Sequence, residues 1–478
     1  MTVMRFAEKT RSNRANGPDF AQPMGNPGDP SCRKGNAVRI FLATLSSLLL
    51  ALLLGCVTLL VGPSSASKAP ISDDLDGTSR VEVEPTTLTH VVFPKEPLAP
   101  FIDNALDWLA KAQHESGGWG SGSHSAQDIR DPHKVQTDPA STAFSAMALL
   151  RVGSDPTAGK YKIHLRKAAE YLVRVVNEAK PQGPTITSLK GTQPQTKLGQ
   201  FIDTSMTLQF LSRVLPKLPK SDPLHQQVDQ ALDKCLAKLQ NSQQQDGSWG
   251  GGSWAGVLQS SVGCSALEWA AAAGKTVDGT VLARARDHQK GNFNVETGRS
   301  SAPDSAGIEL YAFAGSQRAA ASEAGAARQL IEEAKENGIL PADASCTVEN
   351  LMTLGVDKPQ ANTLYKSYAQ NMAQLEQLDN EQLLSGFGNN GGEEFLSYML
   401  TSESLVLQGG NAWPKWKQKM NTRMAKIQIA NGSWTGHHCI TSPVFCTAAA
   451  IQCLTADRDE VLLRAINNQD ASVKPERL

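Results

Sequence analysis

The sequence predicts an all-α protein in which about six helical hairpins follow one membrane-spanning helix. Three observations support this prediction: an uncharged apolar run at residues 40–62, a repeated motif that joins a helix to a tryptophan, and the lack of convincing strand alternation after residue 97. Apolar residues that recur every three to four positions are typical of amphipathic helices. The roughly 370 residues from 98 to 470 provide enough chain for the hairpins.

Composition excludes several classes of protein. Of the 478 residues, 40% are hydrophobic and 19% are charged, which fits a folded domain better than a disordered chain. The 46 Lys and Arg residues nearly balance the 47 Asp and Glu residues. Because nucleic-acid binding depends on concentrated positive charge, we expect no nucleic-acid partner.

The apolar run is predicted to be a transmembrane anchor. As a helix, residues 40–62 are long enough to cross a hydrocarbon core of about 30 Å. Basic residues predominate in residues 1–39, and acidic residues in the Pro- and Ser-rich linker of residues 63–97. The positive-inside rule therefore predicts a single-pass protein of the bacterial inner membrane with its C-terminal part in the periplasm. The alternatives are a signal peptide cleaved near residues 64–66 and, with less support, a lipidated Cys56.

These features divide the chain into five segments. A flexible basic cytoplasmic tail (1–39), the anchor (40–62) and the linker (63–97) precede a repeat domain at residues 98–470 and a short tail at residues 471–478.

The repeat domain contains three copies of one pattern: an amphipathic helix, a Gln near its end, and a Gly-containing turn that leads to a Trp. The copies are Ala105–Gly120, Ala231–Gly250 and Met420–Gly436, with Trp119, Trp249 and Trp434 at their corners; a degraded copy, Ala283–Asn294, has Phe293 instead. The Gln side chain can bond backbone groups at the helix end while the indole packs over the turn. We interpret these corners as structural joints between hairpins.

A helix crowded with small residues follows each copy. These helices are Ser141–Gly153, Ser260–Gly274, Ser305–Gly315 and Phe445–Leu454. Small side chains let helices approach closely, which predicts that these form an inner layer. Further helices are predicted near residues 161–179, 202–214, 321–337, 345–355, 362–378 and 393–408.

The repeated helix–Gln–Gly–Trp pattern resembles the α/α-toroid superfamily of squalene and hopene cyclases and protein prenyltransferase β subunits. The resemblance covers roughly residues 98–458. It implies an inner ring of about six helices inside an outer ring, around a central cavity. It does not by itself imply an activity, because one fold hosts many functions.

The family's catalytic motifs are not matched. Cyclases of this family resemble one another in an Asp-x-Asp-Asp acid motif, which does not occur in residues 98–470; Asp457–Glu460 is similar in letters, and we expect it to be a solvated helix start. An aromatic content of 6% also leaves little for a cage that stabilises carbocations. The prenyltransferase zinc site has an Asp-x-Cys pair, whereas this chain has Asp343-x-x-Cys346.

A cluster near the C-terminus offers metal-binding side chains. His437, His438 and Cys439 are consecutive, and imidazole and thiolate are ligands that zinc prefers. The alternatives are that the two histidines are turn residues and that Cys439 forms a disulfide with Cys446. Zinc is thus a candidate cofactor, but we favour neither metal nor disulfide.

Five acidic residues have different predicted roles. Glu403 lies among apolar and hydroxyl residues in the middle of a helix and is a candidate to face a ligand in the cavity. Glu393 and Glu394 are expected in a first helical turn, where the helix dipole favours acids. Asp138 and Asp203 precede small-residue helices and are predicted N-caps.

Two functions remain open at this point. The first is a non-catalytic binding or interaction toroid for an apolar ligand, such as a lipid or isoprenoid, or for a peptide. The second is a transferase or cyclase-like enzyme of the same superfamily that uses a metal at the His/Cys cluster.

Overall fold

A computed structural model of the protein describes residues 97–250, 252–388 and 390–459, together with Leu463 and Ile466. The predicted anchor, the two predicted tails and almost all of the predicted linker lie outside these residues. The described chain folds into fifteen α-helices, which confirms the predicted all-α class. Among the described residues, no helix has both the length and the apolar character needed to cross a bilayer.

Six of the described helices form a closed inner ring. In chain order they are α2 (Pro139–Arg151), α5 (Ile202–Val214), α7 (Gly256–Ala272), α9 (Glu309–Glu336), α13 (Gly392–Gln408) and α15 (Pro443–Leu454). Each contacts the next, and α15 contacts α2. All residues of α2, α5, α13 and α15 are buried, as a layer covered by a second ring requires.

Six further helices form the outer ring and alternate with the inner ones along the chain. They are α1 (Pro100–Lys111), α3 (Lys162–Glu178), α6 (Pro223–Asn241), α8 (Gly279–Lys290), α11 (Lys358–Leu375) and α14 (Ala412–Ile427). Each buries a face against at least one inner helix. The predicted arrangement of six hairpins in two layers is therefore present.

The remaining elements are short. The helices α4 (Gln193–Lys197), α10 (Val348–Thr353) and α12 (Glu381–Leu384) lie in connections, as do four 3₁₀ turns, His124–Ala126, Pro132–Lys134, Leu215–Lys217 and Ala456–Asp459. Where the degraded repeat places Phe293, strand β1 (Phe293–Asn294) pairs with β2 (Arg299–Ser300) in an antiparallel ladder.

The Trp corners share one set of hydrogen bonds. In the second copy, Trp249 Nε1 donates to the carbonyl of Leu239 at 2.8 Å, and Trp249 N donates to Ser260 Oγ at 3.1 Å. Trp119 and Trp434 repeat both bonds, to a carbonyl ten residues earlier and to a hydroxyl on the following inner helix. All three indoles are at most 1% exposed. Each corner thus fastens an outer helix to the inner helix that follows it.

The Gln of each copy joins neighbouring outer helices. Gln243 Nε2 donates to the carbonyl of Gly247 at 3.1 Å and to that of Val281 in α8 at 2.9 Å. Gln113 and Gln428 make the corresponding pairs of bonds, so that α1 is tied to α3 and α14 to α1. Gly247 has a φ of +88°, and a Cβ there would lie 2.2 Å from a backbone oxygen of α8, so only glycine fits this turn.

Two sequence predictions about local structure were wrong. The helices predicted at Ser305–Gly315 and residues 321–337 are one continuous helix, α9, because no proline interrupts the Ala-rich sequence between them. Asp138 is the N-cap of α2, as predicted, but Asp203 is the second residue of α5 and accepts a hydrogen bond from Ala140 N of α2. Asp203 thus caps the neighbouring helix rather than its own.

Candidate functional site

The N-terminal ends of the inner helices lie together at one end of the ring. Contacts between helix starts show this: Tyr311 OH of α9 donates to Glu394 Oε1 of α13 at 2.7 Å, and Asp203 of α5 bonds Ala140 of α2. Loops that precede the inner helices therefore surround this end. We call four residues of these connections the mouth residues: Lys197 at the end of the short helix α4, and Trp254, Phe387 and His438 in the loops.

The mouth residues contact one another in a row. The Trp254 and Phe387 ring centroids are 5.6 Å apart at an interplanar angle of 77°, and Phe387 is 5.3 Å from His438. Lys197 Nζ lies 5.1 Å from the centroid of the Trp254 ring. Trp254 precedes α7 and Phe387 precedes α13, which are not neighbours in the ring, so this pair bridges over the start of α9. Both aromatic side chains are exposed, Trp254 by 37% and Phe387 by 51%.

Two buried carboxyl groups lie at the start of α13. Glu394 accepts hydrogen bonds from Tyr311 OH, Phe387 N at 2.9 Å and Gly391 N at 2.9 Å. Glu393 accepts one from Ile440 N at 3.2 Å, and its Oε1 has no partner. Their position in the first turn of the helix was predicted, whereas the burial of both groups was not.

The surroundings of Glu393 favour the neutral form of its carboxyl. Burial, followed by the charge of the neighbouring Glu394, raises its pKa from the ordinary 4.5 to about 8.

Glu393→Gln is expected to make stability less dependent on pH. Because the native pKa exceeds the unfolded value, the native state binds this proton more tightly, and stability falls as pH rises from about 4.5 towards 8. The loss of stability over this pH range is of the order of a few kcal/mol, since one pKa unit corresponds to about 1.4 kcal/mol. Thermal unfolding of wild type and variant across this range measures the difference. The exposed Glu376→Gln is the control and should keep the wild-type profile; a Glu393→Gln profile identical to that of the control would contradict the assignment.

The predicted metal ligands lie at the same end of the ring. His437 Nδ1 is 3.1 Å from the Asn390 carbonyl, and His438 Nε2 is 3.8 Å from Glu394 Oε2. Burial, followed by the charge of Glu393, raises the pKa of the Cys439 thiol to about 12, whereas zinc binds a thiolate. Among the described residues, no group of three or more His, Cys, Asp and Glu side chains is arranged to hold a metal ion. Cys439 and Cys446 are both free thiols.

The loop around His438 is tightly built. Cys439 has a φ of +57°, which is unusual for a residue other than glycine and costs of the order of 1 kcal/mol. A Cβ on Gly391 would lie 2.5 Å from the His438 ring, so the glycine permits the imidazole to pack against the backbone at Gly391. Surrounding contacts must offset the strain at Cys439, and the close packing of His438 on Gly391 is one of the tight contacts in this loop.

Away from the mouth, charged side chains of five inner helices and of the segment after α15 form one buried network. Its members are Arg151 of α2, Arg213 of α5, Glu268 of α7, Arg318 of α9, Glu403 of α13 and Asp459 after α15. Each side chain is at most 5% exposed. We call these six residues the ring floor.

Glu403 is at the centre of the ring floor. It pairs with Arg151, with Arg213 at 3.4 Å and with Arg318 at 3.3 Å. Although burial alone would raise its pKa, these three guanidinium groups hold it at about 2. Because α5 and α13 lie on opposite sides of the ring, the Arg213–Glu403 pair crosses the ring interior. Glu403 does lie inside the ring, and its contact with a ligand remains a prediction.

The expectation that Asp457–Glu460 starts a solvated helix was wrong for its described residues. Asp459 is 5% exposed and pairs with Arg151 Nε at 2.7 Å, and Asp457 is 7% exposed and pairs with Lys417 at 2.7 Å. The basic partners of these acids lie on other helices, far away in the sequence, so the local sequence did not reveal them.

A groove outside the ring is a weaker candidate site. Its volume is about 700 Å³, and it lies against α14. Its lining is charged, with Lys415 paired to Asp379 at 2.5 Å and Lys419 to Glu381 at 2.8 Å. Such a lining does not suit an apolar ligand.

Sequence reasoning missed the mouth residues Lys197, Trp254 and Phe387 and the ring-floor arginines. The arginines had a usable signal, because a single charged residue in a helix of small and apolar residues must find a buried partner. Arg151 and Glu268 both stand in such helices. The mouth residues had none, since they come from separate loops.

One family comparison supports the fold. Residues 86–180 match the model of the squalene-hopene cyclase C-terminal domain. The match includes α1, the Trp119 corner, α2 and α3. No individual curated protein matches the chain. The family match confirms the predicted resemblance of this chain to the squalene/hopene cyclase-like superfamily of α/α toroids.

Proposed function

We propose that the toroid binds an apolar ligand at its mouth, and that residues 40–62 tether it to the periplasmic face of a bacterial inner membrane. The observation that carries the binding proposal is the exposed Trp254–Phe387 pair. The anchor and its orientation rest on the apolar run and on the charges that flank it.

The aromatic pair has the properties of a ligand contact. Leaving large apolar side chains in water forgoes the free energy of burying them, which is about 1.5–3 kcal/mol for a full side chain. Convergent exposed aromatic groups beside a few polar ones are typical of binding sites. Lys197 and His438 supply the polar groups here.

The position of the ring floor favours the mouth as the end at which a ligand enters the ring. Ion pairs between α5 and α13 cross the interior near the opposite end. Breaking buried ion pairs costs several kcal/mol, so a ligand would not pass through them readily. The mouth is therefore the end at which we place the ligand.

Farnesol, a neutral isoprenoid alcohol, is a suitable probe. We expect the full chain in lipid nanodiscs to bind radiolabelled farnesol above the level of empty nanodiscs, and Trp254→Ala or Phe387→Ala to weaken this binding at least about tenfold, since each removes a large apolar contact. Equilibrium binding at fixed lipid measures the effect. Tyr365→Ala, at an aromatic residue that is 38% exposed on α11, is the matched control. Equal losses in all three variants, or none in the mouth variants, would contradict the proposal.

A further inference from the structure

The ring floor has hydrogen-bond donors that no protein group satisfies. Among the described residues, Arg213 Nε and Nη1, Arg318 Nη2 and Trp269 Nε1 are buried without a hydrogen-bond partner. Both arginines are 1% exposed and Trp269 is 2% exposed. Buried polar groups in folded proteins are almost always paired, and leaving a charged donor unpaired is especially costly.

These donors lie close together. The Arg213 guanidinium carbon is 4.1 Å from the centroid of the Trp269 ring. Arg213 and Arg318 contact the two different oxygens of the Glu403 carboxylate, at 3.4 Å and 3.3 Å. The three donor side chains come from α5, α7 and α9, which are consecutive in the ring. They therefore face one part of its interior.

The carboxylates of the ring floor are already shared. Glu403 serves three arginines, Asp459 serves Arg151 and Arg213, and Glu268 serves Arg318 and Arg286. Burial lowers the pKa of Arg213, an effect that Asp459 only partly offsets. A further hydrogen-bond acceptor would therefore stabilise Arg213, the arginine that is least satisfied by its partners.

We infer that the ring floor binds an oxyanion, a phosphate, sulfate or carboxylate group, between Arg213, Arg318 and Trp269. All the unpaired atoms named above are donors, so the ligand must supply acceptors. An oxyanion provides several acceptor oxygens and a negative charge, and charged hydrogen bonds to guanidinium are the strong ones. The oxyanion is either free or the head group of a larger amphiphile, and the test separates these sources.

Thermal unfolding of the full chain in nanodiscs tests the inference. At matched ionic strength, we expect inorganic phosphate or dodecyl phosphate to raise the melting temperature above its value in chloride. A shift with inorganic phosphate indicates a free anion, and a shift with dodecyl phosphate but not with dodecanol indicates an amphiphile head group. If neither phosphate compound raises the melting temperature, the inference is wrong.

Trp269→Phe locates the site without removing a charge. It deletes the indole N–H but keeps an aromatic ring beside Arg213, and it should raise the dissociation constant for the effective phosphate compound at least about tenfold, the usual consequence of losing one charged hydrogen bond. Trp249→Phe, whose indole bonds Leu239, is the control and should keep the wild-type constant. An unchanged constant in Trp269→Phe would overturn the inference. The inorganic phosphate arm does not involve the mouth, so its failure is distinguishable from failure of the farnesol test.

Discussion

Glu403→Gln is expected to lower the free energy of unfolding by roughly 3–5 kcal/mol, the usual cost of removing one partner from a buried ion pair. The carboxylate pairs with three arginines on three different inner helices. Glutamine has nearly the same shape but no charge, so the variant leaves Arg151, Arg213 and Arg318 with less compensation inside the ring. Unfolding of the full chain by urea, followed by far-ultraviolet circular dichroism, measures the loss.

A surface glutamate provides the matched control for this change. Glu332 pairs with Lys335 at 3.0 Å, and its side chain is 58% exposed. Surface pairs of this kind contribute about 0–1 kcal/mol, so Glu332→Gln should stay near wild type. If the two glutamine variants were equally stable, the ion network would not be what holds the inner helices together at this end.

Trp249→Ala and Trp434→Ala should each lower the free energy of unfolding by about 3–5 kcal/mol, as large-to-small changes in a core do. Both indoles are fully enclosed, and each donates a hydrogen bond to a carbonyl in the last turn of the preceding outer helix. Alanine removes the packing and leaves that carbonyl without its partner. The same urea unfolding experiment applies.

The same substitution at an exposed tryptophan shows whether the loss of stability comes from the burial of the side chain or from the loss of any tryptophan. Trp254 is 37% exposed, so Trp254→Ala should change stability by no more than about 0.5 kcal/mol while affecting farnesol binding. The corner variants should show the reverse pattern. A corner variant with wild-type stability and abolished binding would make that tryptophan a ligand contact instead of a structural joint.

The sequence was sufficient for the architecture because its signals are local and repeated. Each Trp corner lies within about twenty residues of the helix that it closes, and three copies share one pattern. Small-residue runs likewise predicted the inner layer. The prediction failed at α9, where two expected helices proved to be one of 28 residues, because the first was expected to end at Gly315, which lies within the continuous helix.

The candidate site was harder to predict because its contacts are not local. Trp254 and Phe387 are 133 positions apart in the sequence, yet their rings touch. Arg151 and Glu403 are separated by 252 positions. Only the closing of the ring brings such pairs together, and no spacing rule for helices anticipates it. The metal-binding role of His437, His438 and Cys439 stays a prediction, and their proximity to Glu393 and Glu394 became visible only in the fold.

Farnesol titration of the Trp254→Ala/Phe387→Ala double variant determines whether the ligand binds at the mouth. We expect that the wild-type chain in nanodiscs binds farnesol saturably and that the double variant retains the wild-type unfolding midpoint but shows no binding above empty nanodiscs. Saturable binding of equal affinity in a folded double variant would show that the ligand does not bind at the mouth.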